Sequence, residues 1–228
     1  MEDFGDSKES RNEAIGTGAE MRGAPRFTLM LRSAKLIADS TEYLCIIRDV
    51  SETGIKLRLF HQLPDAGTLM IETPGGQRYP MQLVWAVSNE AGFRFDYRID
   101  VDTFVSQGSP YPKRPLRLRV HHPACVKIGA ESLPATILDI SRQGARIESE
   151  TRLAIGQRFC LEARELPLFE ATVCWRRVPE YGLAFAQVMG LDELAQRAAR
   201  MNRSPLPASA KASEYQAGRN VIAAPFMQ

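Results

Sequence analysis

The sequence predicts an all-β protein: two small antiparallel six- to seven-stranded β-barrels in tandem, with a C-terminal helix after the second. Three observations lead there. The first is an internal repeat. Asp49-Val50-Ser51-Glu52-Thr53-Gly54 returns as Asp139-Ile140-Ser141-Arg142-Gln143-Gly144, an offset of 139 − 49 = 90 residues. The same offset carries Trp85 onto Trp175, Gly92 onto Gly182 and Phe95 onto Phe185. A period this long is too large for a solenoid unit and fits a duplicated small domain. The second observation is a succession of short apolar or alternating segments split by turn residues. The third is one stretch with helical spacing near the end of the chain.

Taken in order, residues 1–20 are polar and without periodicity, which predicts a disordered tail. Strands are predicted over 27–31, 35–38, 43–48, 54–60, 68–72, 79–87 and 92–97. Ile55-Lys56-Leu57-Arg58-Leu59 alternates as a half-buried antiparallel strand does. Thr73-Pro74-Gly75-Gly76-Gln77 reads as a hairpin turn. The second set of strands is predicted over 116–120, 125–129, 134–139, 145–148, 158–163, 168–176 and 182–187. Between the sets, residues 106–112 hold Pro110 and Pro112 and read as a linker of limited flexibility. Leu191, Leu194, Ala195, Ala198 and Met201 keep helical spacing over 191–203, and Arg197, Arg200 and Arg203 lie late, where a helix end favours cations. Residues 204–228 read as a second disordered tail. The domains are thus expected at 21–105 and 113–203. So many short strands with regular turns close into a barrel, and Trp85 and Trp175 are expected in corresponding places of the two cores.

Composition narrows the function. An apolar fraction of 44% and a charged fraction of 25% are ordinary for a soluble globular chain. No apolar run approaches the roughly 20 residues that cross a bilayer, and the acidic start is no secretory signal. The expectation is a cytoplasmic protein without membrane insertion. Cys45, Cys125, Cys160 and Cys174 show no CxxC spacing and read as small buried apolar residues. His121 and His122 should point to opposite faces of a strand, and no metal site follows. Residues 1–20 carry six acids and two bases, so the net charge of +2 leaves +6 for the remainder. Arginine outnumbers lysine 23 to 6. Arginine suits bidentate phosphate or guanine contacts, although a GC-rich genome gives the same bias. There is no P-loop, GxSxG, HExxH or dinucleotide fingerprint, so catalysis and a cofactor are not expected.

The residues that carry chemistry are few. Arg22-Gly23-Ala24-Pro25-Arg26 is an RxxxR ahead of the first barrel, followed by Asp49-x-Ser51-x-x-Gly54. Downstream come Trp85…Gly92-Phe93-Arg94-Phe95 and Trp175…Tyr181-Gly182-Leu183-Ala184-Phe185. In this order and spacing the chain resembles the PilZ domain, twice, over about 20–105 and 112–203. The resemblance implies a receptor for cyclic di-GMP that passes a conformational signal to an unidentified downstream protein. The alternative it allows is an interaction adaptor that no longer binds nucleotide. A DNA or RNA binder would need exposed aromatics interleaved with cations, and is not expected. The implied first site is Arg22, Arg26, Asp49, Ser51 and Gly54. Arginine can bind guanine O6 and N7 or stack on the base, Asp49 can accept from guanine N–H groups, and Ser51 can bond phosphate or its own loop. Gly54 suits either a positive φ or a close backbone approach. Asp, Ser and Gly are also the commonest turn formers. The implied second site is Lys113, Arg114, Arg117, Asp139, Ser141 and Gly144. Its arginines read RxxR, or RxxxR only with Lys113 in the first place, and lysine lacks the planar fork.

Overall fold

The computed structural model describes residues 27–106 and 115–203. The two predicted tails lie outside these residues, as do Arg22, Arg26, Lys113, Arg114 and all of the predicted linker except Ser106. The first barrel is formed by β1 (Phe27–Ala38), β2 (Thr41–Val50), β3 (Gly54–Leu59), β4 (Leu69–Glu72), β5 (Arg78–Val87) and β6 (Glu90–Phe95), followed by α1 (Val101–Ser106). The second is formed by β7 (Leu118–Ile128), β8 (Glu131–Ser141), β9 (Gly144–Glu148), β10 (Arg158–Ala163), β11 (Leu166–Arg177) and β12 (Glu180–Phe185), followed by α2 (Leu191–Arg203). Both barrels close in the same order, β1-β2-β3-β6-β5-β4 and β7-β8-β9-β12-β11-β10, with antiparallel neighbours.

Two pairs of predicted strands are each one strand. The segments 27–31 and 35–38 belong to β1, and 116–120 and 125–129 belong to β7. The cause is a shift of register inside each strand, between Thr28 and Arg32 and between Arg119 and His122. Extra residues at such a bulge interrupt the in–out alternation, so one strand looks like two. The predicted turn closes through Thr73 N to Gln77 O (2.9 Å) and Gly76 N to Thr73 O (2.8 Å), with Gly76 at φ +84°. Helix α1 was not predicted. Asp100 caps it, accepting from Asp102 N (3.0 Å) and from the Thr103 hydroxyl (2.6 Å), and Phe104 tucks into the first core.

The inward-facing residues follow the alternation elsewhere. Ile55, Leu57 and Leu59 of β3 are buried and the residues between them are not. His122 is buried while His121 is exposed, as adjacent strand residues should be. The cysteines depart from expectation: Cys45 is buried, Cys125 and Cys160 are half-buried, and Cys174 is exposed. Cys174 follows the inward Phe169, Ala171 and Val173 of β11, so plain alternation already turns it outward.

The barrels meet around one carboxylate. Glu42, on β2, is 2% exposed. It accepts from the backbone N–H and Nε of Arg119 on β7, both at 2.9 Å, and pairs with Lys35 at 3.0 Å. Its carbonyl takes a hydrogen bond from Asn202 of α2 (3.1 Å). Beside it, Leu44 of the first barrel packs into the core of the second, as do Leu194, Ala195, Ala198 and Met201 of α2. Helix α2 therefore clasps strands of both barrels. A buried carboxylate holding donors from both sides is costly to leave half-paired. Replacing Glu42 with alanine removes the acceptor and should loosen the docking. Small-angle scattering should show a larger radius of gyration for Glu42→Ala, with the far-UV circular dichroism of the two barrels unchanged.

Candidate functional site

The Asp-x-Ser-x-x-Gly segments are tight connections between neighbouring strands, β2 to β3 and β8 to β9. Ser51 Oγ accepts from Gly54 N (3.2 Å), and Ser51 N donates to Gly54 O (2.8 Å). In the second barrel Ser141 Oγ accepts from Gln143 N (3.4 Å) and donates to Gly144 O (3.1 Å). The glycine is required by close approach. A Cβ at Gly54 would lie 2.9 Å from the carbonyl oxygen of Phe93, and one at Gly144 would overlap that of Leu183. Neither glycine has a positive φ, so of the two reasons the sequence allowed, crowding is the one that holds. The loops are stitched onward in the same way. Thr53 O and Gln143 O accept from Phe95 N and Phe185 N, at 2.9 and 2.8 Å.

Across the barrel wall the loop aspartate belongs to a row of directly paired residues. In the first barrel the row is Trp85–Gly92–Lys56–Asp49–Thr28, from β5 through β6, β3 and β2 to β1. In the second it is Trp175–Gly182–Arg146–Asp139–Arg119. Each aspartate and each tryptophan follows a bulge. Arg48 is the extra residue between Ile47 and Asp49, and Val84 the extra residue between Leu83 and Trp85. Leu138 and Cys174 hold the same places in the repeat. A bulge shifts the phase of a strand by one residue. Simple alternation from Ile47 and Met81 would turn Asp49 and Trp85 inward. The bulge turns both outward, onto the face that carries Lys56.

This corrects the expectation for the tryptophans. Trp85 and Trp175 are 40% and 41% exposed and lie outside the cores. Each indole covers a glycine, and a Cβ at Gly92 or Gly182 would overlap it. With Asp49, Ser51, Gly54 and Lys56, Trp85 lines a cleft of about 110 Å³ open to the outer face.

The electrostatics of the two rows differ. Lys56 pairs with Glu90 at 2.7 Å and its ammonium lies 5.9 Å from the Trp85 ring. In the second row Asp139 is held by two guanidiniums: Arg117 on Oδ1 at 2.8 Å and Arg146 on Oδ2 at 2.7 Å. Arg146 also reaches Glu180 at 3.2 Å. Burial works against the charge of Arg146, and the Asp139 and Glu180 carboxylates more than offset it, so its pKa rises above the ordinary arginine value.

The PilZ domain model matches this chain twice, over residues 20–106 and 113–200. The chain belongs to the PilZ domain family. Solved structures similar to it include the Borreliella burgdorferi PlzA protein in complex with c-di-GMP (13% identity, 79% of this chain and 96% of that one, TM-score 0.31). Two others are the Bacillus subtilis inhibitor of motility MotI/DgrA (13% identity, 76% of this chain and 97% of that one, TM-score 0.33) and Escherichia coli YcgR in complex with c-di-GMP (13%, 74% and 82%, 0.28). These superpositions are loose, and the assignment rests on the twofold match to the domain model. A search of curated proteins finds no match.

Within each PilZ domain the structure brings the aspartate, serine and glycine of the motif together. Of the RxxxR residues it describes Arg117 alone, and Arg117 is in contact with Asp139. The pairing also fixes which positions of the two repeats correspond here. Thr28 stands opposite Asp49 and Arg119 opposite Asp139, so Arg26 corresponds to Arg117 and Arg22 to Lys113, at an offset of 91. Sequence reasoning missed Lys56, Arg146 and the outward tryptophans. The signal for the cations was present, since both stand two residues after the motif glycine on an outward position. The glycine beneath each indole gives a direct test. Gly92→Ala should displace Trp85, at a cost of about 1–3 kcal/mol from overpacking. Thermal denaturation should show the loss, and Trp emission should shift to the red as the ring leaves its glycine seat.

Proposed function

We propose that this tandem PilZ protein is a receptor for cyclic di-GMP whose working site is in the first domain. That site comprises Arg22, Arg26, Asp49, Ser51 and Gly54, with Lys56 and Trp85 added. The observation that carries the reading is the outer-face row, which sets an acceptor, a cation and a flat aromatic surface side by side. A guanine presents N–H donors for Asp49 and a π-face for Trp85, and its phosphates call for cations. Arg26 lies two residues before Thr28, the residue paired with Asp49. In the repeat, the arginine at that distance reaches its aspartate, which supports closure of the RxxxR segment over the loop.

The second site, Lys113, Arg114, Arg117, Asp139, Ser141 and Gly144, is expected to bind more weakly. Both oxygens of Asp139 already hold guanidiniums, and a guanine would have to displace one of them. Lysine at 113 keeps charge without the planar fork. This ionic closure favours a second reading for that domain alone: a module that makes contact with a partner protein and leaves nucleotide to the first. In either case the output is a change of shape passed to a partner, and a ligand can drive it only through different affinity for two arrangements.

Calorimetric titration with cyclic di-GMP tests the assignment. Arg26→Ala should weaken binding roughly ten- to a hundredfold, about 1–3 kcal/mol for a lost bidentate contact. Arg22→Ala/Arg26→Ala should lose most measurable binding. A folded double variant with wild-type affinity would move the working site to the second domain.

A further inference from the structure

The wall of the first barrel is incomplete at one edge. Strand β4 is short and pairs with β5 only from Arg78 to Met81. From Gln82 to Val87, β5 pairs with β6 on one side, and among the described residues no strand flanks its other side. These six residues, Gln82-Leu83-Val84-Trp85-Ala86-Val87, are all exposed and none is charged. Val84 and Val87 are 64% and 65% exposed. An uncharged apolar strand edge with open N–H and C=O groups is a template for another strand.

The second barrel covers part of the same edge. Strand β10 pairs one residue further along, Arg158 with Thr172. The chain before it then continues the ladder, through Gly156 N to Val173 O (2.8 Å) and Val173 N to Gln157 O (3.0 Å). Beyond that point stand Arg176 and Arg177, where the first barrel has Ala86 and Val87. Charges on an edge oppose strand addition.

The geometry points to the occupant of the open edge being a second copy of this chain, paired antiparallel along Gln82–Val87 about a twofold axis. A strand edge is complementary to itself in that arrangement: Gln82 comes opposite Val87 of the other copy, Leu83 opposite Ala86 and Val84 opposite Trp85, and no charge is set against an apolar residue. The same pairing at β11 would set Arg176 and Arg177 against Val173 and Thr172 of the other copy, and Val173 is already paired with the chain before β10, so the association is confined to the first barrel. A six-residue ladder spans about 20 Å and buries less than a standard interface, so the dimer is weak and forms with rising concentration.

The test uses the full chain without nucleotide, so it stands apart from the receptor reading. Sedimentation should show the mass of the wild type rising from monomer toward dimer between low-micromolar and near-millimolar protein. Hydrogen exchange at 82–87 should slow over the same range. Ala86→Arg/Val87→Arg gives β5 the pair its own repeat carries, and should associate at least tenfold more weakly with an unchanged melting temperature. If that variant does not fold, the exchange measurement on the wild type decides. A wild type that is monomeric throughout, or a folded variant that associates like it, overturns the proposal. So does slow exchange at 82–87 in a monomer at every concentration, which would mean that another segment of the same chain covers the edge.

Discussion

Two bulges in each barrel turn an aspartate and a tryptophan out of the core and onto one outer row, and the candidate site depends on that displacement. Without the bulges at Arg48 and Val84, the phase of β2 and β5 would carry Asp49 and Trp85 toward the barrel interior. A carboxylate there would be desolvated and without donors. With them, Asp49 stands opposite Lys56, and Trp85 opposite Gly92. The glycine lets the indole lie flat against the wall, because a side chain would fill its place. The serine and glycine of the motif have a different task. They tighten the connection that follows the aspartate, and the loop's carbonyls tie it to the strand carrying the glycine seat.

The same frame repeated with altered side chains gives two domains of unlike character. In the first row the lysine pairs with Glu90 beside the Trp85 ring, whereas the arginine in the second fastens Asp139 and Glu180 together. Arg117 completes that closure. Arg119, two residues on, is gripped by Glu42 of the first barrel. The strand that leads from the second arginine segment is thus anchored both to its own loop and to the neighbouring domain. Any ligand that draws Arg117 away acts close to the point where the barrels join, a short mechanical path from site to docking.

Much of this was legible in the residues. The offset of ninety located both loops, and strands such as 158–163 and the helix over 191–203 were read to the residue. What escaped shares one cause. Alternation is the signal for a strand face, and a bulge breaks it without leaving a residue type that marks the break: Arg48, Val84, Leu138 and Cys174 have little in common. Hence plain alternation places the tryptophans in the core and divides β1 and β7. Helix α1 was missed for another reason. At six residues it is too short for periodicity, and Asp100 with Thr103 was its one sequence mark.

The central claim is that the outward indole of the first domain forms part of the ligand's surface. It is tested most directly by titrating Trp175→Phe, whose remaining tryptophan is Trp85, with cyclic di-GMP and following the emission. The expected result is a saturable change in Trp85 fluorescence that tracks the binding isotherm from calorimetry. Binding that saturates in the calorimeter while Trp85 emission stays constant would contradict it.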